Sequence, residues 1–280
     1  MNLIEFSLVL GAGSFAAGFL GALTGLGGGV VIVPLLTIGL GVDIRYAIGA
    51  SLVSVIATSS GAASAYVREG YSNIRVGMFL EIATSTGALF GAFLASVISP
   101  QVIAVIFGMV LLDSAYHSFR QPVDQPCKEN GHQDRLATFL KMHGSYPTRN
   151  GEQRYCVRGV PWGFSIMFGA GTLSGLLGIG SGALKVIAMD RAMHLPYKVS
   201  STTSNFMIGV TAAASAGIYL TRGYLDPGLA MPVVLGVLAG SFLGAKFLVS
   251  ARTGLLRMIF GGVVALLAVE MILNGLKRTF

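Results

Sequence analysis

Between Phe6 and Val42 the chain carries no Asp, Glu, Lys or Arg, and five more charge-free stretches follow at 46–67, 82–112, 159–184, 199–221 and 227–245. Each is about as long as the ~20 apolar residues that an α-helix needs to cross a bilayer, or longer. Charged residues make up about a quarter of an ordinary soluble domain; here they are 11% of the chain, with a mean hydropathy of +0.73. These stretches predict an all-α polytopic membrane protein in the lipid bilayer, expected as a multi-pass protein of the inner (plasma) membrane. The N-terminus has no basic leader region and runs straight into the first apolar stretch, so it reads as a retained span and not a cleaved signal peptide. The net charge of +7 sits largely in one hydrophilic segment. It points to membrane orientation and not to nucleic acid.

One phrase in these runs is unusual and occurs twice. GFLGALTGLGGGVVIVPLL at 18–36 and GTLSGLLGIGSGALKVIAM at 171–189 both break an apolar run with a tight cluster, Gly25/Gly27/Gly28/Gly29 and Gly178/Gly180/Ser181/Gly182. Inside a membrane such a break reads as a discontinuous helix, and broken helices there mark binding sites. A shift of 153 residues aligns 18–92 with 171–245 without a gap, with 17 of 75 positions identical. The expected architecture is therefore two homologous four-segment repeats, 1–119 and 159–280, each opening on a glycine-broken helix. The segments are 6–40, 46–66, 76–98 and 101–119, then 160–194, 199–220, 228–250 and 255–275. The two 35-residue segments are too long for one upright helix, so each must be a helix plus a half-helix. Gly87/Gly91 and Gly240/Gly244 give small-xxx-small faces suited to close packing within the bundle, or to a homodimer.

The joining segment, 120–158, is the soluble part: a short helix over 133–143 and a β-hairpin over 145–157 turning at Asn150-Gly151. Counting eight crossings places Arg68, Arg75, the basic linker, Arg222, Lys277 and Arg278 on one side. The positive-inside rule then puts linker and both termini in the cytoplasm. If the broken segments are re-entrant, each half crosses an odd number of times, the repeats are inverted and the sides must be redrawn.

The phrases GLTGLGGGVVIVPLL, SGLLGIGSGALK and LPYKVSSTTSNF resemble the TauE/SafE sulfite-exporter family of membrane permeases, over essentially the whole chain. That resemblance implies a secondary transporter for small sulfur-containing anions: sulfite, thiosulfate, sulfoacetate or a related organosulfonate.

The residues suggest how an anion could be held. Gly25, Gly27, Gly28 and Gly29 in one half, and Gly178, Gly180, Ser181 and Gly182 in the other, free backbone N–H groups at a helix start and let a ligand approach the main chain. The alternative is that they only permit tight helix crossings. Lys185 lies in the first turn after the second break, where the first half has Ile32; it reads as counter-charge to an oxyanion, or as a side chain reaching to an interface. Ser200, Ser201, Thr202, Thr203, Ser204 and Asn205 offer neutral donors at the next helix start, with Thr202 to Asn205 as candidate substrate contacts. Arg45 and Lys198 align as candidate entrance residues or orientation anchors. Glu81, inside the third span, is the candidate coupling group, for a proton or Na+, or a fixed partner of Lys185 or Lys246.

Other functions are weaker. Neither glycine cluster is followed by Lys-Ser/Thr, so no ATP loop is present. Ser181 with His194 is a poor hydrolase pair, because they sit at opposite ends of one half-helix. An anion channel stays open as an alternative. Cys127, His132, His143 and Cys156 are zinc-type ligands at unfamiliar spacing; reduced cysteines and surface histidines are expected instead, with no metal and no cofactor.

Overall fold

A computed structural model describes residues 3–24, 28–68, 72–119, 134–148, 151–248 and 253–277. Helix α1 (Leu3–Thr24) carries the first apolar run to the glycine cluster, and α2 (Gly29–Pro34) resumes beyond it. Pro34 has no N–H to give, and from there the helix widens into a π-helical turn, Leu35–Gly39. Three long helices follow: α3 (Ile44–Arg68), α4 (Ile74–Val97) and α5 (Pro100–Phe119). Asn73 caps α4 by accepting the Val76 N–H.

The second half opens with α7 (Val160–Leu177), then α8 (Gly182–Ile187) with its own π-helical turn Ala188–Ala192. It closes with α9 (Tyr197–Thr221), α10 (Pro227–Leu248) and α11 (Thr253–Leu276). Moved along by 153 residues, α2, its π turn and α3 land on α8, its π turn and α9 at both boundaries. Each interrupted segment is thus one long helix and one short helical piece. The short piece spans only about half of a ~30 Å hydrocarbon core at ~1.5 Å per residue.

Among the described residues three helices are long and apolar enough to cross a membrane by themselves, over Ile74–Val97, Val160–Leu177 and Pro227–Gly244, and shorter apolar helices accompany them. Their outer faces are apolar: Met78, Ile82, Phe90 and Phe93 on α4, and Met231, Leu235 and Phe242 on α10, are all exposed. In water that surface would be a liability; facing lipid it is the expected state.

Between 120 and 158 the described structure starts at residue 134. The short helix α6 covers Arg135–Phe139, less than the expected 133–143: Asp134 caps its start by accepting the Leu136 N–H, and Lys141, at φ +50°, lies beyond its end. Strands β1 (Gly144–Thr148) and β2 (Gly151–Tyr155) pair antiparallel, Gly144 opposite Tyr155 and Thr148 opposite Gly151; Asn150 lies outside the described residues. This segment is tied to the helices. Asn73 donates to the Met142 carbonyl and the Tyr155 hydroxyl, each at 2.8 Å, Arg75 donates to the Lys141 carbonyl, and the Val160 N–H donates to Asp134.

The long helices pack in pairs drawn from opposite halves: α1 on α10, α4 on α7, α3 on α9 and α5 on α11. Glycines set the first two pairs. A Cβ at Gly87 or Gly91 would run into the Phe168 or Thr172 carbonyl, and one at Gly236 or Gly240 into the Gly11 or Phe15 carbonyl. The small-residue faces at Gly87/Gly91 and at Gly240 are therefore filled within the chain. In both pairs residue numbers rise together, so α4 runs parallel to α7 and α1 parallel to α10.

The other two pairs are antiparallel. Gly49, near the start of α3, lies against the Tyr224 carbonyl beyond the end of α9, whereas Gly209 lies against Ser59 and the Asn73 N–H reaches Thr203. Gly275 meets Gln101, and Gly108 meets Ala268. Helix α10 begins beside Gly49, where Leu225 lies, and packs along α3, so α10 and hence α1 point the same way as α3. The chain between α1 and α3 must therefore turn back.

That return changes the expected sides. The start of α1, the end of α11 and the α4–α5 and α9–α10 connections lie at one end of the bundle. The linker, the α3–α4 connection and the start of α9 lie at the other. The eight-crossing count, which put linker and termini together, is corrected: the half-helices bring the chain back, so each half ends at the end opposite its start.

Candidate functional site

Helix α7 stops at Gly178 (φ +67°), and Gly180 (φ +70°) and Ser181 (φ +47°) continue in the left-handed region. Glycine accepts that conformation readily. Ser181 has a Cβ and is held there by donating its hydroxyl to the Ala170 carbonyl at 2.7 Å. Its hydroxyl proton is thus committed to the backbone, and His194 is exposed. No nucleophile–base pair forms.

At the first break Gly25 and Gly27 lie outside the described residues, while Gly28 and Gly29 are buried. A Cβ at Gly29 would stand 2.7 Å from Ser51 Oγ and 3.2 Å from the Gly178 carbonyl oxygen. The backbones of the two breaks therefore meet, bridged by Ser51, whose hydroxyl donates to the Gly178 carbonyl at 2.8 Å. Gly182 is packed against Ile208, and its carbonyl accepts from Ser204 at 3.1 Å.

Lys185, on α8, is 0% exposed. It does not reach to an interface. Its ammonium donates to Thr211 Oγ1 of α9 at 2.5 Å, and Thr211 in turn donates to Glu81 Oε1 of α4 at 2.7 Å. Ser85 donates to the same Glu81 oxygen at 2.8 Å, and Glu81 Oε2 is buried without a partner. Thr84 Oγ1 lies 3.4 Å from Thr211 Oγ1. A buried ammonium and a buried carboxylate thus share one hydroxyl, in a cluster built from three elements of both halves. At the aligned positions of the other half stand Ile32, Thr58 and Val234, so the charges occur in one copy only.

The polar run at the start of α9 is divided. Thr202 turns back to the Lys198 and Val199 carbonyls of its own helix. Thr203 is buried and accepts the Asn73 N–H at the linker end. Ser204 reaches the second break, and Asn205 is half-buried beside it in sequence. Lys198 is exposed at the linker end. Arg45 is at the other end: it donates to the Ile98 carbonyl at 3.0 Å and to the Tyr224 hydroxyl, and stacks over the Tyr224 ring. Because α3 and α9 start at opposite ends, these two aligned residues do not stand together.

Thr211 and Ser51 were not singled out by the sequence as site residues. One signal was available, since Thr58/Thr211 and Ser51/Ser204 are both identical pairs in the gapless alignment.

In the linker, Cys156 is in a disulfide, against the expectation of reduced cysteines; Cys127, the other cysteine of the chain, and His132 lie outside the described residues. His143 Nδ1 accepts the Val157 N–H at 3.2 Å. Two of the four zinc-type groups are thereby already engaged. Burial pushes the Tyr155 phenol above its ordinary value, with the Asn73 amide opposing the shift.

Paired, broken helices around a buried ion pair define a membrane protein that handles a small solute. The sequence profile of the family described as "Sulfite exporter TauE/SafE" matches residues 10–271, and the chain belongs to that family. It is similar to the probable membrane transporter protein YunE of Bacillus subtilis, 28% identical over 93% of this chain and 95% of the relative. It is also similar to YdhB of the same organism, 28% identical over 83% and 86%. MJ0441 of Methanocaldococcus jannaschii is 25% identical over 92% of each chain. No solved structure matches the chain. The protein is a membrane transporter and not an enzyme.

Proposed function

We propose that this chain is a secondary transporter for small sulfur-containing anions, such as sulfite, thiosulfate, sulfoacetate or a related organosulfonate, bound where the two broken helices meet. The observation that carries this reading is Lys185: a fully buried ammonium three residues past Gly182, beside a glycine-rich main chain on which Ile48 and Ile208 pack closely. A charge so expensive to bury is retained where it meets an opposite charge. Its fixed partner is shared through Thr211, which leaves the ammonium able to accept a second anion. The family's description supplies the sulfur chemistry. Ser204 and the main chain at Gly178–Gly182 complete the polar surface, and Glu81 is the coupling group.

The halves 1–119 and 159–280 are, in this reading, inverted repeats flanking the soluble linker 120–158, with the pseudo-two-fold axis in the membrane plane. Arg75, Arg135, Lys141, Arg154, Arg158, Arg191 and Lys198 gather at the linker end, against Arg45, Arg222 and Lys277 at the other. The positive-inside rule therefore places the linker in the cytoplasm and both termini outside.

The test is uptake of labelled sulfite and thiosulfate into proteoliposomes. Wild-type protein accumulates at least one of them, and Lys185→Met abolishes it. Unchanged uptake by Lys185→Met removes Lys185 from the site, and no uptake of any sulfur anion by the wild type overturns the reading.

A further inference from the structure

Among the described residues near the site, Glu81 Oε2 and Ser174 Oγ are buried without a partner, and of the two only Glu81 is an acid. Its Oε1 accepts two hydroxyl donors, whereas its Oε2 is buried and unpartnered, and a carboxylate oxygen left in that state is costly. The elements packed on α4 supply few charges. Helix α7 has no titratable residue along its length; α9 has Lys198 and Tyr197 in its first turn and Tyr219 near its far end; α8 has only Lys185. The π turn after α8 carries Asp190 and Arg191, the linker brings Lys141, His143 and Tyr155 to the end marked by Asn73, and α4 itself adds Arg75. The charge joined to the Glu81 carboxylate is Lys185, through Thr211.

From this geometry we propose that Glu81 is the binding site of the coupling ion, that the ion is a proton, and that it enters as the transported anion takes over Lys185. The proposal rests on the transporter reading above. In the empty site the ammonium and the carboxylate balance one another across the Thr211 hydroxyl. When an anion pairs with Lys185, Glu81 is left as uncompensated negative charge in a buried place. It regains neutrality by taking one proton from water on Oε2, the oxygen that has no other partner. When the anion leaves, the proton returns to water and the carboxylate rejoins Lys185 through Thr211. No covalent bond is made or broken apart from the O–H of that acid. A sodium ion at the same carboxylate would face the Lys185 ammonium across one hydroxyl. A proton meets no such conflict, because it cancels the charge it binds. A singly charged anion and a proton are thus carried together, one proton per monoanion, since each half-loaded form holds an unbalanced buried charge.

Purified protein in weakly buffered detergent solution tests this with methanesulfonate and ethanesulfonate, singly charged sulfonates that do not titrate near neutral pH. Wild-type protein takes up one proton for each anion bound, and its affinity falls by about tenfold per pH unit on the alkaline side. Glu81→Gln shows an affinity that does not vary with pH and no proton uptake, while Glu81→Asp restores both. In wild-type protein a hydrophobic carbodiimide, which attacks the protonated acid, modifies Glu81 faster with anion than without, as read by mass spectrometry. This second readout stands if Glu81→Gln does not fold. Anion binding without proton uptake, binding that requires sodium, or equal proton uptake by Glu81→Gln each overturn the proposal while leaving the transporter reading in place. Failure of the wild type to bind either anion, together with sulfite, overturns both.

Discussion

Thr211 makes a quantitative test of the buried cluster possible without any transport measurement. The Lys185–Thr211 and Thr211–Glu81 bonds hold the ammonium nitrogen and Glu81 Oε1 no more than about 5 Å apart, which corresponds to an attraction of about 3 kcal/mol at an effective dielectric constant near 20. Lys185→Met removes one charge and leaves the carboxylate with Ser85 and Thr211 alone. Breaking a buried pair in this way costs about 3–5 kcal/mol. Glu81→Gln, alone, leaves the ammonium unbalanced at similar cost. In the double variant no charge is stranded, and Met and Gln keep nearly the original volumes. Its stability should lie above that of either single variant, or close to the better one, with a coupling of roughly 2–3 kcal/mol between the substitutions. Equilibrium unfolding in mixed micelles, titrated with dodecyl sulfate, measures all four proteins. Losses that add to within about 0.5 kcal/mol would refute the idea that the two charges are held for one another.

Three further outcomes follow from the packing. Gly91→Ala places a methyl against the Thr172 carbonyl and should lower stability by several kcal/mol, whereas Gly169→Ala, with open space at its Cβ, should be close to neutral in the same assay. Thiol counting after lysis in alkylating buffer tests the sides: a cytoplasmic linker yields Cys156 as a free, alkylated thiol, and a disulfide that persists in intact cells places the linker outside. Tyr155→Phe should cost about 1 kcal/mol of linker docking through loss of the Asn73 bond. With the native phenol raised in the folded state, docking strength is complete below the unfolded value and declines as pH rises through the folded one. The phenylalanine variant should lack that alkaline loss, as read by proteolysis of the linker.

Much of this molecule could be read before any coordinates. The charge-free runs, the two glycine breaks and their shared spacing are one-dimensional facts, and so is the oddity of Lys185 in an apolar context. Thr211 was out of reach because an apolar helix with many Ser and Thr residues gives no sign of which one lies at the depth of a lysine on α8. Only the packing of α8 and α4 on α9 decides that. Arg45 and Lys198 show the same limit from the other side. Their alignment is correct as sequence, but α3 and α9 start at opposite ends of the bundle, so aligned positions stand far apart. The crossing count failed for the same reason, since a half-helix and a full span look alike in composition and differ only in where the chain goes next.

The pairing of α1 with α10 and α4 with α7, through contacts that leave no room for a side chain, bears on what can move. A first half without α10 would expose the groove on α1 that Gly236 and Gly240 fill, and a second half without α4 would expose its equivalent on α7. Two fragments made by cutting the linker should each be insoluble alone and recover when produced together. By the same logic, the rigid bodies of a transport cycle cannot be the two halves of the gene. Each body must take helices from both, so the seam along which the protein opens runs across the sequence and not at its midpoint.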